Sequence, residues 1–185
     1  MAEDFESPSP VEAPGIRVSL DQGMHVASLR YFDPSGAFSR TVQASIATQL
    51  PNRLCATYDS RPTGAVRAVL AWRSPTETLL LCNEAALIAQ LQADVATLND
   101  GCVVDQTGGT WVLRASGERV TDLFARMGGQ GTLPVIGAAL RSRLADIPVL
   151  ALRVQAGEIL LIVERLYVEH IMGWIRASAA DLRIP

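Results

Sequence analysis

Apolar positions along the chain alternate between two periods. Phe38, Val42, Ile46 and Leu50 recur every fourth residue, which places them on one face of a helix expected near 34–50. Asp33-Pro34 supplies a capping carboxylate and a first-turn proline for its start, and Pro51-Asn52 a stop. Before it, residues 16–32 alternate loosely and read as short extended pieces, while 52–65, with Pro62 and Gly64, reads as loop. Val66, Ala68, Leu70 and Trp72 then alternate with their neighbours as a strand, Ser74-Pro75 turns the chain, and Glu77 to Cys82 forms a second strand. Asn83 is placed to cap a helix carrying Leu87, Leu91, Val95 and Leu98, which Asp100-Gly101 ends.

A similar order follows. Strands are expected at 102–106 and 110–115, with Thr107-Gly108-Gly109 as a tight turn between them. Ser116 caps a helix with Val120, Leu123, Phe124 and Met127 on one side. Strands at 139–146, 147–155 and 158–164 precede a last helix near 166–182, whose apolar stripe is Val168, Ile171, Met172, Ile175, Ala179 and Leu182. Strands that arrive in adjacent pairs favour antiparallel pairing. The expected class is therefore α+β: antiparallel sheets with helices on one side, built as two ferredoxin-like halves sharing a core, about 16–101 and 102–185.

Composition narrows the class further. The 185 residues are 49% hydrophobic and 19% charged, enough apolar material for a substantial interior. No apolar run approaches the roughly 18 residues of a membrane span, and the N-terminus is acidic where a secretory signal would be basic, so a soluble, cytoplasmic chain is expected. Residues 1–15 hold Glu3, Asp4, Glu6, Glu12 and no base, and with Pro8, Pro10 and Pro14 they read as a disordered acidic leader before a single domain at 16–185. Removing those four acids from the chain's 19 leaves 15 against 16 bases, so the body is close to neutral and lacks the basic stripe that nucleic acid requires.

All 16 bases are arginine; there is no lysine to serve as a Schiff base, a P-loop cation or a general base. Cys55, Cys82 and Cys102 form no CxxC, and His25 and His170 have no neighbour at ligand spacing, so neither a disulfide framework nor a metal site is indicated. The loop Gly128 to Gly131 matches no phosphate-binding pattern and reads as a connector.

Asp105 and Asp146 stand beside apolar strand residues. Each is either a buried carboxylate with a raised pKa, able to orient an amine, or a strand-end aspartate bonding turn amides. Tyr167, His170 and Trp174 form a second stripe beside the apolar face of the last helix, a candidate partner-docking surface or a set of core shoulders.

The order of segments resembles the gamma subunit of heterotetrameric sarcosine oxidase from about Val66 to Arg176. Trp72 to Leu80 is similar to that family's strand-turn-strand segment, and Val104-Asp105-Gln106-Thr107 to its Val-Asp-x-Ser/Thr step. Val112 to Gly117 with Val120 and Leu123-Phe124, Arg143 to Val149, and Leu161 to Arg165 through His170 and Trp174-Ile175 complete the pattern. Ser74, Thr76, Thr78 and Leu166 depart from the usual glycine, aspartate, tryptophan and serine.

The resemblance implies a fold like the folate-binding part of aminomethyltransferases of the glycine-cleavage T-protein group. It also implies a non-catalytic role in a complex with alpha, beta and delta subunits that oxidises sarcosine and passes the one-carbon unit to tetrahydrofolate. This chain would carry no cofactor; flavins, NAD, folate and zinc would sit on the partner subunits. A free-standing folate-binding or aminomethyl-transfer protein of the same fold, using Asp105 or Asp146, is the alternative. A homo-oligomer of the isolated chain is a third reading.

Overall fold

The structure, a computed structural model, describes residues 7–59, 68–128, 131 and 133–182. Eleven strands and four helices follow one another as β1 (Val11–Ala13), β2 (Ile16–Leu20), β3 (His25–Tyr31), α1 (Ala37–Ile46), β4 (Ala56–Tyr58), β5 (Ala68–Ser74), β6 (Glu77–Cys82), α2 (Ala85–Val95), β7 (Gly101–Asp105), β8 (Thr110–Ser116), α3 (Val120–Gly128), β9 (Ala139–Leu144), β10 (Ile147–Gln155), β11 (Glu158–Glu164) and α4 (Val168–Asp181). A 3-10 turn at Arg165–Tyr167 leads into α4.

Two antiparallel sheets result, ordered β1-β2-β8-β11-β10-β9 and β4-β5-β6-β3-β7. They pack face to face through Val26, Val69, Leu79 and Leu81 on one side and Val112, Leu150, Leu152, Leu160 and Ile162 on the other. The outer face of the first sheet is covered by α3 and α4, with Leu123, Phe124, Ile171, Met172 and Ile175 buried on it. That of the second is covered by α1 and α2, through Phe38, Val42, Ile46, Ile88 and Leu91. The period-four stripes thus do what the sequence implies, each helix burying one face on one sheet. Each sheet has helices on one side and its fellow sheet on the other.

The halves are ferredoxin-like, but they do not divide the chain at 101/102. In the second sheet, β3-α1-β5-β6-α2-β7 gives the order β5-β6-β3-β7, with β4 added outside β5. In the first, β8-α3-β10-β11-α4 gives the same arrangement, with β9 added outside β10, and the missing fourth strand is β2, from the start of the chain. β2 and β7 are therefore equivalent. Leu20 faces Leu113 as Asp105 faces Ala27. The Asp21 amide donates to Val112 O at 2.8 Å, as the Gln106 amide donates to Val26 O at 2.8 Å.

Several local expectations change in three dimensions. Residues 11–15, read as part of a disordered leader, include β1, which pairs antiparallel with β2 and buries Val11; residues 1–6 lie outside the described set. Strand β4 lies within the stretch 52–65 read as loop, and residues 60–67 are not described. The turn Thr107-Gly109 joins no hairpin: β7 pairs with β3 and β8 with β11 and β2, so the turn carries the chain from one sheet to the other.

Asp33 does not cap α1. Its carboxylate accepts from the Ser35 hydroxyl at 2.7 Å and the Ser35 amide at 2.8 Å, bonds that hold its pKa below the ordinary carboxylate value, and α1 begins at Ala37. The cap comes from Asp100, 62 residues away, whose two oxygens accept from the Phe38 amide at 3.0 and 3.1 Å. Similarly, Asn83 does not cap α2, whose N-cap residue is Glu84.

Candidate docking surface

The two aspartates singled out by sequence lie apart, at turns of different sheets. Asp105, at the exposed end of β7, accepts from the Thr107 amide at 2.9 Å and the Thr107 hydroxyl at 2.7 Å. These bonds favour the charged form and hold its pKa below the usual 3.8. The raised value that a buried general base would need is therefore corrected to a lowered one. Because the folded pKa is depressed, the stabilisation is complete above the unfolded value and is lost as pH falls through the folded one. Asp105→Asn is expected to cost less than about 1 kcal/mol at pH 7, since the carboxylate is exposed, and progressively less as the pH falls below the usual carboxylate range, as read by urea unfolding across an acid pH series. Asp146 occupies the β9–β10 turn with φ of +63°, exposed, its carbonyl accepting from the Arg143 guanidinium.

The space between the sheets opens at two equivalent mouths. One, about 180 Å³, is lined by Arg73, Leu79, Thr110, Arg141, Leu150 and Glu164. The other, about 130 Å³, is lined by Met24, Tyr58, Asn83, Arg114, Val154 and Leu160. Neither contains Asp105 or Asp146, and both are smaller than the several hundred cubic ångströms typical of ligand pockets.

Arg73 at the first mouth and Arg114 at the second are held by structural ion pairs. Glu77 accepts from Ser28 and, at 3.0 Å, from Arg73. Arg114 donates to Asp21 at 2.8 Å and also to Glu158. Glu77 and Glu158 occupy equivalent positions, since Leu79 faces Ser28 as Leu160 faces Arg114. Among the described residues no group of three His, Cys, Asp or Glu side chains is placed to hold a metal. Among the described residues no helix is long and apolar enough to cross a membrane. The loop Gly128 to Gly131 lies partly outside the described residues.

Of the three docking candidates, the structure brings two to the surface. His170 and Trp174 are exposed on α4, Trp174 to 51%, whereas Tyr167 is half-buried and packs on the core beneath α3 and α4. Leu166, 69% exposed, precedes His170 by the same four residues that separate His170 from Trp174, so the exposed row reads Leu166, His170, Trp174. Sequence reasoning marked Leu166 only as a departure from the usual serine. Its spacing from His170 was the signal that could have joined it to the row. Trp174 combines large apolar area with few rotors to freeze, the property that makes tryptophan effective at interfaces.

No protein-family model and no curated protein matches the sequence. Solved structures match its fold. A chain of the heterotetrameric sarcosine oxidase from Corynebacterium sp. U-96 superposes with a TM-score of 0.79 at 19% identity, covering 92% of this chain and 87% of that one. The glycine cleavage system aminomethyltransferase T from Bartonella henselae superposes with a TM-score of 0.65 at 11% identity, covering 88% of this chain and 46% of that one. This chain therefore spans about half the length of the aminomethyltransferase. The α+β fold with two antiparallel sheets is the one these proteins share.

Proposed function

We propose that this chain is a non-catalytic, gamma-type subunit of a sarcosine-oxidase-like complex, acting in assembly. The complex would oxidise sarcosine and pass the one-carbon unit to tetrahydrofolate. The partners are alpha, beta and delta subunits, which carry the flavins, NAD, folate and zinc. The observation that carries this reading is the exposed set His170 and Trp174 on the well-packed helix α4, with Leu166 exposed in the 3-10 turn that leads into it. Such a set gives a partner an aromatic anchor at little cost in side-chain entropy. Supporting it, the fold matches a chain of a multi-subunit oxidase along most of both lengths.

The folate-binding alternative shares the fold but relies on Asp105 or Asp146. Asp105 has a lowered pKa and holds a turn, and Asp146 shares no cleft with it.

Co-expression with candidate alpha, beta and delta chains is expected to give a yellow complex that retains this subunit through gel filtration. Trp174→Glu is expected to weaken capture at least about tenfold while changing the isolated chain's stability by less than about 0.5 kcal/mol. A flavoprotein that assembles with full activity and never captures the wild-type chain would overturn the reading. So would turnover of a methylated amine or pterin by this chain alone.

A further inference from the structure

The equivalence of β2 and β7 exposes a difference between the halves. The outer edge of β2 is covered by β1, with Val11 opposite Val18, Glu12 opposite Arg17 and Ala13 opposite Ile16. The equivalent positions of β7 are Val103, Cys102 and Gly101, and among the described residues β7 pairs only with β3. The Gln106 amide bonds Val26 O, so alternation along the ladder turns the even-numbered groups of β7 towards β3 and those of Gly101, Val103 and Asp105 outwards. Gln92 reaches Val103 O at 3.4 Å from α2. Cys102 and Val104 are exposed beside this edge, which carries neither the proline, the lysine nor the bulge that usually protects an edge strand.

Charge specifies what fits there. Residues 74–113, which contain α2 and β7, hold five acids (Glu77, Glu84, Asp94, Asp100 and Asp105) and no arginine, lysine or histidine. Asp94 and Asp100 bond neutral donors (Ser45 and Gln90, and the Phe38 amide), as Asp105 does through Thr107, and among the described residues none of the three carboxylates forms an ion pair with an arginine; His25 is the basic side chain whose charge acts on Asp105. At the Gly101 end lies an open, mainly apolar hollow of about 510 Å³ among Tyr31, Phe32, Asn99, Gly101 and Cys102, with Phe32 exposed to 84%; Arg30, opposite Cys102, lines it too and is paired with Glu77 at 3.7 Å.

We propose that the outer edge of β7 receives an extended, basic segment of a partner protein as an added antiparallel strand. In the register that β1 shows on β2, the segment has apolar residues opposite Gly101 and Val103, on the face towards α2, and its arginine or lysine side chains, in the flanking positions, lie in the field of the acids of α2 and β7. Main-chain hydrogen bonds give the affinity and the flanking charges the selectivity. This surface lies on the half of the molecule that does not contain α4, and the proposal stands without the assembly role.

Cys102 reports directly on the added strand. The residue opposite it is a non-hydrogen-bonded neighbour, about 4.5 Å away between Cα atoms, a separation compatible with a disulfide. Three blocked peptides, Arg-Val-Cys-Val-Arg, Glu-Val-Cys-Val-Glu and Arg-Pro-Cys-Pro-Arg, carry the cysteine as a 2-thiopyridyl mixed disulfide. They are added to the Cys55→Ser full-length chain, in which Cys82 is buried. The Cys102 thiolate attacks the peptide sulfur and expels 2-thiopyridone, whose absorbance gives the rate. The expected result is at least tenfold faster reaction with the arginine-valine peptide than with the other two, with slowed amide exchange at Gly101, Val103 and Asp105 in the adduct. Equal rates, or a rate advantage without protection of those amides, overturn the proposal. A dimer seen by light scattering and dissolved by the peptide would mean that β7 pairs with a second copy, and that too overturns it.

Discussion

Gly117→Ala is expected to cost about 3 kcal/mol or more and to detach the N-terminal strands from the first sheet. Gly117 follows β8 with φ of +123°, a conformation closed to residues with a side chain, and strain of that kind alone is worth about 1–3 kcal/mol. The added methyl would also overlap the Gly15 carbonyl oxygen and lie 2.6 Å from Gly15 C, both backbone atoms. The neighbours have little room to yield. The Arg119 amide bonds Gly15 O at 3.0 Å, and the Gly117 amide bonds Gly157 O at 2.9 Å, so three chain segments cross at this residue. Relieving the overlap means lifting the β1–β2 turn off β8, and β2 is the strand that completes the half. Urea unfolding measures the loss. Amide exchange of Val18 and Leu20 locates it, and a stability within 1 kcal/mol of wild type would show that the crossing can open freely.

Phe38→Ala is expected to cost about 3–5 kcal/mol, the usual range for deleting a buried phenylalanine ring. Phe38 is fully buried on α1, and its ring stacks on that of Tyr31 with centroids 6.4 Å apart and planes at 28°. It also lies directly against Gly101, where any Cβ would collide with it, so the ring forms the floor under the start of β7. Its own amide holds the Asp100 carboxylate that precedes the strand. The cavity should therefore loosen α1 and β7 together. Phe38→Leu, which keeps most of the volume, should restore more than half of the loss in a thermal or urea melt. Equal losses for alanine and leucine would point to the aromatic pair with Tyr31 rather than to filled volume.

These two positions also show where sequence reading reaches its limit. Phe38 was legible, because it begins a period-four stripe and such a stripe has one way to bury itself. Gly117 was not legible as a crossing point, because the clash that requires glycine comes from Gly15, 102 positions earlier in the chain. The same holds for the helix cap. Asp33 has the right chemistry and local position for capping α1, yet Asp100 does the work because β7 brings it to the helix start. Local preference proposed a donor set, and a distant carboxylate satisfied it first.

The candidate surface divides in the same way. The apolar face of α4 was readable from spacing, and so was a row beside it of Tyr167, His170 and Trp174, which did not include Leu166. Whether that row is exposed depends on how far the 3-10 turn and the first sheet shelter it: they half-bury Tyr167 and leave Leu166, His170 and Trp174 open. For Asp105 the sequence offered a buried acid or a turn-holding one. Only the position of the Thr107 hydroxyl and amide decides between them.

By itself the sequence determined the α+β class and most of the elements, because the period of apolar residues must match 3.6 or 2 for a helix or strand to bury one face. It also determined the acidity of the segment around β7 and the want of any lysine. Tertiary structure alone decided which strands pair: a two-residue period places side chains on faces but carries no information about the neighbour across the ladder. For that reason β7 and β8, adjacent in the chain, lie in different sheets, and β2, which begins at Ile16, closes a half whose next strand begins only at Thr110.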